Sequence, residues 1–160
     1  MRKQLARLSL AVLLLGGSST GNASVSATIV ADCTIAGSTL SFGSYDPLGA
    51  NSTAALTVSG NALSVACTRG ATGVTVTLDN GLYSANASGT TRAMLGGGAY
   101  LSYELYSDAA MTTVWNTTNA VSYTPTSMAA TGLTVYGSIP GGQNVSVASY
   151  TDSVIATVNF

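Results

Sequence analysis

Apolar and polar residues alternate through most of this chain, in short runs separated by turn residues. The run SYTDSVIATVNF (Ser149 to Phe160) carries the clearest signal: Val154, Ala156, Val158 and Phe160 fall on one face, Ser153, Thr157 and Asn159 on the other. Ile155 interrupts the polar face, which predicts a strand covered on both sides for part of its length. Further upstream, GVTVTLDNG sets Val74, Val76 and Leu78 on one face and ends in an Asn80-Gly81 turn. In AYLSYELYSD, Leu101, Tyr103 and Leu105 share one face, and Tyr100, Ser102, Glu104 and Tyr106 share the other.

The remaining segments follow the same rule. CTIAGSTLSFGSY places Leu40 and Phe42 together before the Asp46-Pro47 turn, and AALTVSG is followed by ALSVACT, where Leu63, Val65 and Cys67 align. Gly96-Gly97-Gly98 reads as a loop; GLTVYGSI reads as a strand, with the Pro140-Gly141-Gly142 turn after it. The stretch from Trp115 to that strand reads as a polar loop. SDAAMT, over 107–112, has room for one turn of helix, and no longer amphipathic helix is visible. Short strands set off by Gly, Asn and Pro turns predict one all-β domain, an antiparallel β-sandwich of the immunoglobulin type.

Ser24 to Ala31, SVSATIVA, also alternates, with Val25, Ala27 and Ile29 on one side. It is either a first edge strand of its own domain or an arm that pairs with something else.

Composition narrows the setting. Arg2, Lys3 and Arg7 precede a short apolar run from Leu8 to Leu15, and GSSTGNA then offers small residues at Gly21 and Ala23. Residues 1–23 therefore read as a signal peptide, with cleavage after Ala23 or further upstream within GGSST; the apolar run is too short to anchor the chain in a bilayer. The exported remainder keeps only Arg69 and Arg92 against six carboxylates, a net of −4. So few cations leave no electrostatic footprint for nucleic acid or anionic lipid. Ser, Thr and Asn supply the polar surface, and an uncharged surface of this kind suits stacking against copies of itself.

Cys33 and Cys67 form an even pair in an exported chain, which predicts one disulfide; two buried free thiols are the alternative. Closing a loop of this length stabilises a fold by about 3–5 kcal/mol. The chain has no histidine, so a metal site lacks partners and Ser/His/Asp chemistry is excluded. Asp79, Glu104, Asp108 and Asp152 show no catalytic spacing, and Asp152, at the start of the last strand, reads as a turn or capping residue. No catalytic residue, metal or cofactor is expected. The tyrosines could form a sugar-binding platform with Trp115, but alternation assigns at least Tyr103 to the core. Asn-x-Ser/Thr matches at Asn51, Asn86, Asn116 and Asn144 are what chance gives in so Ser-, Thr- and Asn-rich a chain.

The N-terminal strand ending in Cys33, YELYSDAAMTTVW (Tyr103 to Trp115), YGSIPGGQNV (Tyr136 to Val145) and SYTDSVIATVNF together resemble the spore coat protein U family. That family includes the subunits of archaic, Csu-type chaperone–usher pili. The resemblance covers essentially residues 24–160, with two departures at turn positions: Asn116 and Ser149 stand where the family often has glycine. It implies an incomplete sandwich lacking its last strand, over residues 33–160, preceded by a donor-strand arm at 24–32. Val25, Ala27 and Ile29 would then be donor side chains, and Val154, Ala156, Val158 and Phe160 would line the acceptor groove. The Phe160 carboxylate would meet basic residues of a chaperone.

The partners implied are a periplasmic chaperone, an outer-membrane usher and neighbouring subunits. The implied role is a pilus subunit serving adhesion and biofilm formation, passing through the periplasm to the cell surface. A secreted coat protein outside any fibre and a carbohydrate-binding tip adhesin are the rival readings.

Overall fold

A computed structural model describes residues 16–160. The charged and apolar parts of the expected signal peptide, residues 2–15, lie outside the described residues. Eight strands follow: β1 Cys33–Gly37, β2 Leu56–Cys67, β3 Thr75–Leu78, β4 Arg92–Gly96, β5 Ala99–Tyr106, β6 Val121–Ser122, β7 Thr131–Ile139 and β8 Ala156–Asn159. The only helical element among the described residues is a single 3-10 turn, Ser84–Asn86. One sheet has the order β1-β2-β7-β5-β4 and the other β6-β3-β8, with every pairing antiparallel. The two sheets face each other as the all-β sandwich that the alternation predicts.

The core is made of the inward positions. Val65, Val76, Leu78, Leu101, Tyr103, Val135 and Ile139 are buried, and Trp115 lies among them, donating its indole N–H to the Val76 carbonyl at 2.9 Å. AALTVSG and ALSVACT are two halves of the single strand β2. Their inward residues change parity, from Leu56 and Val58 to Leu63, Val65 and Cys67, and a register shift between Gly60 and Leu63 absorbs the change. That bulge keeps both halves facing the core, where a regular ladder would turn one half outward.

Four expectations change. The strand β4, in RAMLG, has no clean alternation and is found only by its pairing with β5 through a two-residue turn; Gly97 and Gly98 both take positive φ there, 55° and 77°. The polar loop after Trp115 contains the short strand β6. The Asn80-Gly81 turn does not join paired strands, because β3 pairs with β6 and β8 and the chain crosses from there to the other sheet. The last strand is also shorter than its alternation: β8 pairs with β3 only from Leu78↔Ala156 to Thr75↔Asn159. Upstream of Ala156 the described residues offer no strand partner beyond a Leu95–Thr151 bridge. Ile155 is 63% exposed, so this strand is covered on one face and not on two.

Cys33 and Cys67 are directly opposed in the β1–β2 register and form the disulfide. It closes 34 residues of sequence separation at the first residue of an edge strand. Replacing both cysteines by serine is expected to lower unfolding stability by about 3–5 kcal/mol. The check is the denaturant midpoint of the variant against the oxidised chain at equal m-value; coincident midpoints would refute a stabilising role.

Candidate functional site: an open groove between the sheets

β1 and β8 lie in contact without pairing. Beyond β1 the chain leaves its strand, yet Leu40 and Phe42 still pack on the core. On the opposite side, residues 145–155 approach β8 without forming a strand. Between these two segments the sandwich opens into a groove of about 1060 Å³. Leu40 and Phe42 form one wall, Tyr150, Val154 and Ala156 the other, and Leu101, Tyr103 and Ile139 belong to the floor.

Backbone geometry sharpens what the groove can hold. Among the described residues β1 pairs only with β2, and β8 only with β3, so each leaves one edge without a ladder. Free strand edges above an apolar floor favour an extended chain, whose N–H and C=O groups can pair with the edge while alternate side chains enter the cleft. The far end of the groove is fixed by Tyr45: its hydroxyl donates to the Pro140 carbonyl at 2.9 Å and accepts from the Gln143 N–H at 3.0 Å. Where wall and floor meet, Phe42 packs edge-on against Tyr103, with ring centroids 6.0 Å apart.

The groove carries little charge. Asp152 is its one lining residue with an ionisable carboxylate, and it accepts a 2.7 Å hydrogen bond from the Tyr103 hydroxyl. Burial, and then the Asp152 hydrogen bond, push the Tyr103 hydroxyl far above the usual phenol range, so Tyr103 remains a donor. Among the described residues, no lysine or arginine lines the groove. Such a cleft accommodates an uncharged, alternating strand.

The residues named from sequence divide clearly. Val154 and Ala156 line the groove; Val158 packs on the core beyond it, and Phe160 is 56% exposed outside it. Ser24 to Asp32 form no strand and leave their own groove empty; Val25 is 94% exposed and Ile29 85%, with Ala27 exposed between them. The root of this segment is nevertheless held, because the Asp32 N–H donates to Thr68 Oγ1 and the Thr68 N–H donates to the Asp32 carbonyl. Asp152 is the capping residue that its position suggests, accepting from the Leu82 and Ser153 N–H groups. Trp115 is 1% exposed, which removes it from any sugar-binding platform, and Tyr103 is core.

Sequence reasoning missed Leu40 and Phe42 as groove walls and Tyr45 as the tie at its end. The Leu40/Phe42 alternation was visible, but nothing local says that it continues past the end of a strand. Among the described residues, no group of three His, Cys, Asp or Glu side chains is placed to hold a metal ion.

Comparison with known proteins agrees with this architecture. The model of the Spore Coat Protein U domain matches residues 19–157. Protein U of Myxococcus xanthus is 36% identical over 159 residues, covering 88% of this chain and 84% of that protein. The fold is similar to one in the crystal structure of the CsuC–CsuE chaperone–tip adhesion subunit pre-assembly complex from archaic chaperone–usher Csu pili of Acinetobacter baumannii. The TM-score there is 0.53 at 22% identity, over 83% of this chain and 40% of that chain. This chain thus spans less than half the length of that structural neighbour. Motifs, sandwich and family match converge, and the chain belongs to the spore coat protein U domain family.

Proposed function

We propose that this protein is a structural subunit of an extracellular pilus, assembled by the chaperone–usher pathway through donor-strand exchange. One observation carries the reading: an open groove with an apolar floor beside unpaired strand edges, in a chain whose own alternating segment, 24–32, stands outside it. A strand from a partner completes the sandwich, and this chain's segment does the same for the next subunit. A periplasmic chaperone fills the groove first, and the exchange takes place at an outer-membrane usher. The protein therefore passes through the periplasm, after removal of residues 1–23, to the cell surface, where the fibre serves adhesion and biofilm formation.

The energetics fit shared labour. At about 25 cal/mol per Å² of apolar area, Val25, Ala27 and Ile29 contribute only a few kcal/mol. Backbone pairing along the free edges and slow dissociation must supply the rest of a durable joint.

A second reading, a secreted coat protein that is not built into a fibre, is favoured by the extent of the match to Protein U. Expression of residues 24–160 without a chaperone separates the two. A pilus subunit with an unfilled groove is expected to aggregate or to melt without cooperativity. A monodisperse monomer with a cooperative transition would decide for the coat protein.

A further inference from the structure

The wall of the groove formed by residues 151–155 is not a strand and has no ladder beyond the Leu95–Thr151 bridge to hold it in place. Val154 and Ala156 pack on the core at the margin of the groove, and a groove with an apolar floor lowers its free energy in water by closing further, so the position of this wall needs a support other than a strand ladder. Two carboxylates meet this segment. Asp152 accepts from the Tyr103 hydroxyl through Oδ2 at 2.7 Å and from the Leu82 N–H through Oδ1 at 2.9 Å. It is thereby tied to the floor on one side and to the turn after β3 on the other. Gly81 makes room for it: with φ at 74° and no side chain, its backbone lies directly against the Asp152 carboxylate.

Asp79, two residues before Gly81, provides the second tie. Its Oδ1 accepts from the Ile155 N–H at 2.9 Å, and its own N–H donates to the Ile155 carbonyl at 2.9 Å. The Asp79 carbonyl is gripped in turn by Arg92, through Nη2 at 2.6 Å and Nε at 3.1 Å. The wall is thus pinned at both ends of a short irregular stretch, to a turn anchored in the buried interior.

We propose that Asp152 and Asp79 are positioning residues that brace this wall and keep the groove open for an entering strand. The proposal rests on the donor-strand reading above and adds how the site is held ready. Without the brace the cleft spends most of its time closed, and the entering strand binds only the open fraction. The cost therefore falls on association, while a strand already seated holds the wall in place by itself.

The test uses freshly refolded, oxidised chain at nanomolar concentration and a fluorescent synthetic peptide of residues 24–32. Asp152→Ala is expected to slow peptide association by about tenfold or more while leaving dissociation little changed. Tyr103→Phe and Asp152→Asn, which remove less of the brace and preserve shape, are expected to fall between that variant and the original chain. A folded Asp152→Ala chain that takes up peptide at the original rate would overturn the proposal. So would losses confined to dissociation.

Hydrogen exchange provides the independent arm. The amides of Thr151 and Ile155, neither of which bonds to Asp152, are expected to exchange faster in Asp152→Asn and Tyr103→Phe, with the amides of β2 and β7 unchanged. Should the original chain fail to bind the peptide at all, the donor-strand reading falls. The exchange rates then decide the brace alone: unchanged protection at Thr151 and Ile155 would reject it.

Discussion

Replacing Arg92 with alanine is expected to destabilise the domain by about 3–5 kcal/mol, the usual consequence of removing one partner from a buried ion pair. The Arg92 side chain is 0% exposed and its Nη1 lies 2.6 Å from Glu104 Oε1. Its other donors reach the carbonyls of Asp79 and Trp115. Glu104 is further satisfied by the Thr91 N–H and hydroxyl and by the Leu105 N–H. Deleting the guanidinium leaves a buried carboxylate without its counter-charge and two carbonyls without donors.

For a domain of this size the loss corresponds to a fall in melting temperature of roughly 10–20 °C. It is best measured on a chain whose groove is filled by the 24–32 sequence fused after Phe160. Arg92→Met combined with Glu104→Gln should cost less than Arg92→Ala alone, because no buried charge is then stranded. Equal stability of Arg92→Ala and the original chain would show that the pair contributes nothing to the fold.

Deleting Ser24 to Ile29 is expected to abolish polymerisation while leaving chaperone binding intact. The segment contributes nothing to its own sandwich: it pairs with no strand, and its apolar side chains face solvent. Its removal leaves the groove, the disulfide and the Asp32–Thr68 root unaltered, so on the proposed reading the chain would keep its acceptor face and lose only its donor. Co-purification with the chaperone tests the first half of this expectation, and heat-resistant multimers or fibres seen by electron microscopy test the second. Fibres of normal length from the deleted chain would remove the donor role from Val25, Ala27 and Ile29.

Much of this architecture is legible in the residues because a strand's period is local. Val74, Val76 and Leu78, then Leu101, Tyr103 and Leu105, announce their buried face within a few positions, and the cysteine pair announces its bridge by number and setting. The same alternation overstated the last strand. From Ser149 to Ile155 the pattern persists, but a strand also needs a neighbour, and β3 extends only as far as Leu78.

Arg92 gives the opposite case. Read by itself it is one of the two cations left in the exported chain, with no partner indicated, yet the β4–β5 hairpin sets Arg92 beside Tyr103, and its guanidinium reaches the neighbouring Glu104. No motif encodes that meeting. It depends on a hairpin whose first strand, RAMLG, is too irregular to be read locally.

The sequence by itself determined the class of fold, the disulfide, the apolar face of most strands and the presence of a spare alternating segment, since each is written in composition or in period two. Only the tertiary structure decided which strand edges stay unpaired, that Leu40 and Phe42 continue a wall beyond β1, and that Asp79 and Asp152 brace the wall opposite. The reason is physical: burial, pairing and hydrogen-bond satisfaction depend on residues distant in the chain, and the groove is the space those distant residues leave unfilled.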